Sequence, residues 1–187
     1  MAEHDGIIRS SDAERAGVSR AMLSNLAANG LVERIARGQY ALPGAASDEL
    51  FVWQQRAPRV IYSHETALYL HDMAERAPLR HAITLPGDCK LSATFPADLK
   101  VYYVKPALHE LGVVLLPSKM GHRVRAYDIE RTVCDILRNK RRIDAQTVVT
   151  ALKNYAAASH KNLNRLRRYA EAFRLTKTLQ QYLEILL

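Results

Sequence analysis

Between Ala16 and Leu42 the hydrophobic pattern changes period. Met22, Leu23 and Leu26 recur at helical spacing, with Arg20, Ser24 and Asn25 elsewhere on the wheel, which predicts a helix of roughly ten residues after Ser19. Ser19 suits the N-cap, and Asn29-Gly30 is a strong stop. Upstream, SDAERA reads as a short helix, with Ser11 and Glu14 as a capping box and Gly17 as its end. Downstream, Leu31–Ile35 and Gln39–Leu42 read as two short strands around a turn at Arg37-Gly38, where glycine can take positive φ. Only six residues precede Ile7, too few for much of a supporting helix before SDAERA, so that helix is expected to be short or absent, or the chain starts late. Ile7 and Ile8 are expected as a short strand or extended lead-in, and the helix from Ser47 to Gln55 offers an alternative cover for this small core.

Beyond Leu42, Pro43-Gly44-Ala45-Ala46 is the clearest linker signal. Ser47 is expected to cap the next helix, with Asp48 and Glu49 in its first turn and Leu50, Phe51 and Trp53 as interdomain or core packing. Val60–Tyr62 predicts a short strand, and Ser63 a cap for HETALYLHDM. His81–Pro86, Lys100–Lys105 and Val113–Pro117 are β-branched or aromatic runs bounded by Pro and Gly, hence strands. A turn at Ser118–His122 leads into Val124–Tyr127. Asp128 is expected to cap a helix through about Arg138 with Ile129, Val133, Ile136 and Leu137 inward. Three further helices are predicted: one lined by Val148, Val149, Leu152 and Tyr155; one by Leu163, Leu166, Tyr169, Ala170 and Phe173; one by Leu179, Tyr182, Leu183 and Leu186.

Charge sharpens the division. Residues 1–46 hold five Arg and five acids, net zero; 47–118 hold seven bases and eight acids, net −1. Residues 119–143 hold eight against three, and 144–187 seven against three, so the last part of the chain carries +9 and the rest −1. A basic face favours polyanions through counterion release. No apolar run approaches the ~20 residues that cross a bilayer, and MAEHDGIIR lacks a secretory apolar stretch, so a cytoplasmic protein is expected. Cys89 and Cys134 stand 45 positions apart, with no metal or redox spacing.

Helix, turn, capped helix and two-stranded wing is an order that holds DNA. A recognition helix reads base edges with its N-terminal residues, here Ser19, Arg20 and Ala21, followed by Ser24 and Asn25 one turn on. Arg can meet guanine in bidentate fashion and Asn adenine, while small neighbours permit close approach. Arg34 and Arg37, on a wing with Gly38 and Tyr40, suit phosphates or a narrow minor groove. Lys140, Arg141 and Arg142, with Arg165, Arg167 and Arg168, form either a solvated face or a second nucleic-acid surface.

These segments resemble the AbiEi antitoxins of type IV toxin–antitoxin systems, associated with abortive phage infection. The resemblance rests on IIRSSDAERAGVSRAMLSNLAANGLVERIARGQYAL, YSHETALYLHDM, AITLP, VYYVKP, YDIERTVCDILR, RIDAQ and KNLNRLRRYAEAF, in that order. It implies a winged helix-turn-helix repressor that binds inverted repeats of double-stranded operator DNA, with a dimer on DNA as an option. It further implies a C-terminal domain that antagonises a nucleotidyltransferase toxin without a stable complex. Carried over by position, Ser19, Arg20, Asn25, Arg34, Arg37 and Tyr40 fall in the family's DNA-binding segment.

Other constellations carry less. His64 and His71 are seven apart, whereas a zinc helix places histidines one turn apart, so no metal is expected and His64-Glu65 read as helix-end polar groups. Asp128, Glu130 and Asp135 read as an N-cap, a dipole-compatible Glu and a partner for Arg131 or Arg138, against the alternative of a nuclease cluster. No P-loop, nucleophile elbow or dinucleotide fingerprint occurs, and no cofactor or enzyme activity is implied. The expected fold is α+β: a winged helix-turn-helix over 1–46, then an antitoxin domain over 47–187 with a small mixed or antiparallel sheet and a C-terminal helical group. A stand-alone winged-helix regulator and a nucleic-acid-processing enzyme remain the alternatives.

Overall fold

The computed structural model describes residues 6–43, 48–74, 76–92 and 95–186, with side chains as far as 182. The chain divides into two compact units, Met1–Pro58 with Pro117–Val124, and Arg59–Leu116 with Arg125–Leu187.

The first unit runs β1 (Ile7–Arg9), α1 (Ser10–Arg15), α2 (Arg20–Ala28), β2 (Glu33–Ala36), β3 (Gln39–Ala41) and α3 (Glu49–Arg56). Its sheet is antiparallel in the order β1-β3-β2, with Ile8 and Arg34 both opposite Tyr40. Strand alternation sorts the two faces. Tyr40 joins Ala13, Leu23 and Val32, with Ile8, Val18, Leu26 and Ala27 at the margin. Its neighbour Ala41 joins Ile35 and Val52, with Ile7 and Phe51 beside them. Helix α3 therefore covers the sheet face opposite α1 and α2, and Ile7–Ile8 form a strand. Arg56 Nε donates to the Ile35 carbonyl (2.8 Å), which ties α3 to the wing.

Two local expectations change here. The Ser11–Glu14 capping box does not form: α1 starts at Ser10 behind Arg9, with no side-chain cap. Glu14 turns instead to Arg20. Met22 is 52% exposed, so the inner stripe of α2 is Leu23, Leu26 and Ala27. The linker signal at 44–46 and the Ser47 cap lie outside the described residues; Asp48 is the N-cap of α3 and accepts from the Phe51 N–H (3.2 Å). The other Asp48 oxygen accepts from Ser118 Oγ and from His122 Nδ1 (2.9 Å), and the His122 ring lies against Phe51.

The second unit holds a five-stranded sheet in the order β6-β5-β4-β8-β7: β4 (Ile61–Tyr62), β5 (Ala82–Pro86), β6 (Lys100–Val104), β7 (Val113–Pro117) and β8 (Arg123–Tyr127). β4 is antiparallel to β5 but parallel to β8, and β5 is parallel to β6, so the sheet is mixed. All five residues of β5 are buried, in keeping with a run that is apolar but for Thr84, whose hydroxyl donates to Ser63 Oγ. Helix α4 (His64–Leu70) follows β4; α5 (Ile129–Arg138), α6 (Ala145–Ala157), α7 (Leu163–Ala172) and α8 (Thr176–Leu186) form the C-terminal group. Ile129, Val133, Ile136 and Leu137 of α5 meet Val148, Leu152 and Tyr155 of α6, Leu166 and Tyr169 of α7, and Leu179 of α8. Val149 and Leu163, expected inward, are exposed by 39% and 49%. Ser63 precedes α4 without capping it through its side chain. Leu183 and Leu186 have side chains outside the described set.

Candidate nucleic-acid interface

Helix α2 exists because Ser19 starts it: the Ser19 Oγ accepts from the Met22 N–H at 3.2 Å. At 100° per residue, burying Leu23, Leu26 and Ala27 turns Ala21, Asn25 and Ala28 to the opposite side, with Arg20 and Ser24 on one flank. Ser19, Arg20, Ala21, Ser24 and Asn25 are all exposed or partly so. This face carries three small residues, one amide and one guanidinium, and the first turn of α2 contains no acid. The helix macrodipole adds a partial positive charge at this end.

Arg20 is not a loose side chain. Its Nε lies 2.8 Å from Glu14 Oε1 and its Nη2 donates to Glu14 Oε2 at 3.4 Å. The pair is exposed, so it adds little stability. Arg34 on β2 is exposed, and Arg37 in the wing turn is open to solvent as well. Gly38 has φ +71°, and its carbonyl accepts from Ser10 N (2.8 Å) and Ser10 Oγ (2.9 Å), which fixes the wing turn against the start of α1. Tyr40 is only 8% exposed and packs among Ala13, Leu23 and Val32. It supports the wing from inside and presents no ring to a groove.

The basic residues of the second unit separate into two groups. Arg165 lies 3.6 Å from both Asp128 and Glu130, at the N-terminal end of α5. Lys140–Arg142 form a 3₁₀ turn just past its C-terminal end, roughly 15 Å along the helix axis. Arg167 and Arg168 are exposed on α7. Lys140 reaches the Tyr182 ring (5.1 Å) and Arg142 lies over Tyr102 (4.5 Å), leaving Arg141 the most plainly solvent-directed of the turn.

The three carboxylates are tied into the fold. Asp128 Oδ1 caps α5 through the Arg131 N–H (2.8 Å) and Oδ2 accepts from Tyr169 Oη (2.9 Å). Glu130 Oε1 accepts from the Asn162 N–H (2.8 Å). Asp135 pairs with Arg131 at 2.9 Å, both fully buried. Where a nuclease would gather a metal, Asp128 and Glu130 meet an arginine. Burial pushes the Asp128 carboxyl above its ordinary range, against the hydrogen bond from the Arg131 backbone.

Sequence reasoning missed His64. It is fully buried at φ +49°, stacked on Tyr102 at 3.6 Å between centroids. Nδ1 meets Ser63 Oγ (2.9 Å) and Nε2 meets Asn139 Nδ2 (3.0 Å). Burial, then the charges of Arg138, Arg131 and Arg142, hold its pKa well below the ordinary histidine value, so the ring is neutral. His71 instead donates Nε2–H to the Tyr127 carbonyl (2.9 Å). Nothing in the local sequence distinguishes the two, because the stack depends on β6, 38 positions away.

Strand, helix, helix and two-stranded wing, in that order, define the first unit as a winged helix-turn-helix. Residues 2–43, which span all of those elements, match the family model described as transcriptional regulator, AbiEi antitoxin. The fold is similar to that of the RV2827C protein from Mycobacterium tuberculosis in its crystal structure, with a TM-score of 0.60 and 18% identity over 88% of this chain. This chain spans 66% of that protein's chain. No curated protein matches the sequence. Among the described residues no helix is long and apolar enough to cross a membrane.

Proposed function

We propose that the chain is an antitoxin of a type IV toxin–antitoxin system acting in the cytoplasm. It represses its own operon by binding inverted repeats and antagonises a nucleotidyltransferase toxin without a stable complex and without enzyme activity. The observation that carries the DNA-binding half is the exposed face of α2, with Arg20, Ser24 and Asn25 beside a wing bearing Arg34 and Arg37, within a segment that matches the AbiEi regulators. In this reading Arg20 and Asn25 read bases, Arg34 and Arg37 hold the backbone, the first unit, which includes α3, binds DNA and the second counters the toxin.

The test uses the full chain, since α3 packs on the wing sheet and a cut at 46 would bare Val52. An Arg20→Ala/Asn25→Ala/Arg37→Ala variant, co-expressed with the nucleotidyltransferase toxin that this proposal expects to be encoded beside it, should rescue growth while failing to repress the promoter. Loss of rescue together with repression would refute separate domains. Because the family match ends at residue 43, a stand-alone winged-helix regulator is the second reading; absence of rescue by the unaltered chain selects it.

The basic groups of the second unit serve in this proposal as an added nucleic-acid surface, supported by the net +7 of residues 125–187, thirteen bases against six acids. Arg141→Gln and an Arg167→Gln/Arg168→Gln pair should each flatten the log–log salt dependence of binding, by about 0.9 for every phosphate no longer neutralised. Unchanged slopes and affinities for both would end that part of the proposal.

A further inference from the structure

We propose that Glu14 is a specificity-determining residue that orients Arg20 for guanine and keeps it off the phosphates; this rests on the reading of α2 as the recognition helix. A guanidinium has two edges able to make paired hydrogen bonds: one formed by Nε and Nη2, the other by Nη1 and Nη2. Glu14 lies along the first, with Oε1 2.8 Å from Nε and Oε2 3.4 Å from Nη2. The second edge is the one left to face O6 and N7 of guanine, the pairing that gives arginine its base preference.

The two residues come from different helices. Glu14 is on α1 and Arg20 opens α2, six positions apart across the Gly17 turn, where the Val18 N–H donates to the Ala13 carbonyl (2.8 Å). The turn is thus held at the point where the two side chains meet. Glu14 is spared for this role because α1 takes no cap from it. The pair is solvent-exposed and contributes little to folding, so its consequence is orientation and charge. Near DNA a carboxylate also repels phosphate. Glu14 therefore penalises every position in which Arg20 drops to the backbone, and that penalty is what separates the correct site from other sequences.

The experiment compares a duplex selected by the unaltered protein from a random pool with a scrambled duplex of the same composition. Glu14→Ala and Glu14→Gln should both bind the scrambled duplex more tightly and the selected one no better. Discrimination should fall about ten-fold, the scale of one bidentate base contact. The salt dependence on scrambled DNA should steepen by up to about 0.9 as Arg20 gains a phosphate. Adding Arg20→Ala to either variant should leave the preference of Arg20→Ala alone. Unchanged discrimination in the Glu14 variants, or an equal weakening on both duplexes, overturns the role of Glu14 while leaving α2 as the reading helix. If the unaltered protein selects no sequence, the underlying DNA reading fails and takes this inference with it.

Discussion

The carbonyl of Gly38 at the wing turn accepts two hydrogen bonds from Ser10, one from its backbone N–H at 2.8 Å and one from its hydroxyl at 2.9 Å. A residue 28 positions away thereby sets where the wing points relative to the helices of its own unit. A Cβ placed on Gly38 would stand 2.9 Å from the same hydroxyl, and the backbone there has φ +71°.

Gly38→Ala should therefore destabilise the protein by about 1–2 kcal/mol, through the positive φ and the crowding of Ser10. Thermal unfolding checks the stability. A parallel drop in DNA affinity would tie the wing's position to binding, and a variant as stable as the parent would remove the constraint.

Arg20→Ala should weaken binding to a selected duplex by roughly 1–3 kcal/mol and spare scrambled DNA. Arg34→Gln and Arg37→Gln should instead weaken both duplexes alike and flatten the salt slope by about 0.9 each. Fluorescence anisotropy over a salt series separates the two patterns, and identical behaviour of all three arginines would argue against a division between base reading and backbone binding.

The second unit is organised around Arg131. It is wholly buried, pairs with Asp135, donates to the carbonyls of Leu108 (2.8 Å) and Leu111 (2.6 Å), and lies over the rings of Tyr127 (3.9 Å) and Phe173 (4.3 Å). Arg131→Leu leaves Asp135 with the partly exposed Arg138 at 3.9 Å in place of its close buried partner and should cost about 3–5 kcal/mol in urea unfolding. The double variant Arg131→Leu/Asp135→Leu should recover part of that stability; no recovery would mean that the carbonyl and ring interactions dominate.

His64 makes stability depend on pH. Its folded pKa is depressed, so below 6.5 the unfolded chain takes up a proton that the folded chain refuses, and stability falls as pH falls through that value. His109, lowered by burial, acts in the same direction. His64→Asn, whose side chain tolerates the left-handed backbone at φ +49°, should remove up to about 1.4 kcal/mol per pH unit from the slope below that point. A slope identical to the parent's, measured by urea unfolding between mildly acid and neutral pH, would show that His64 protonates freely in the fold.

Much of the local architecture was legible from the chain. Ser19, Asp128 and Gly38 act through neighbours within four residues or through their own φ, so the start of α2, the start of α5 and the wing turn follow from residue type and spacing. Leu23 and the α5 stripe of Ile129, Val133, Ile136 and Leu137 follow from period, because a helix turns fixed positions inward whatever covers them. The partner of each polar side chain did not follow. Glu14 satisfied a capping pattern with Ser11 yet meets Arg20, and Ser10, which no pattern singled out, bonds the wing.

What the sequence determined by itself was the order of the elements, the winged helix-turn-helix and the uneven distribution of charge. Tertiary structure decided which charges stay available. It buried Tyr40, stacked His64 on Tyr102, placed Arg165 between Asp128 and Glu130, and separated it from Lys140–Arg142 along α5. The reason is range: caps, turns and helical stripes are set over a few residues, whereas an ion pair or ring stack depends on distant segments that only packing brings together.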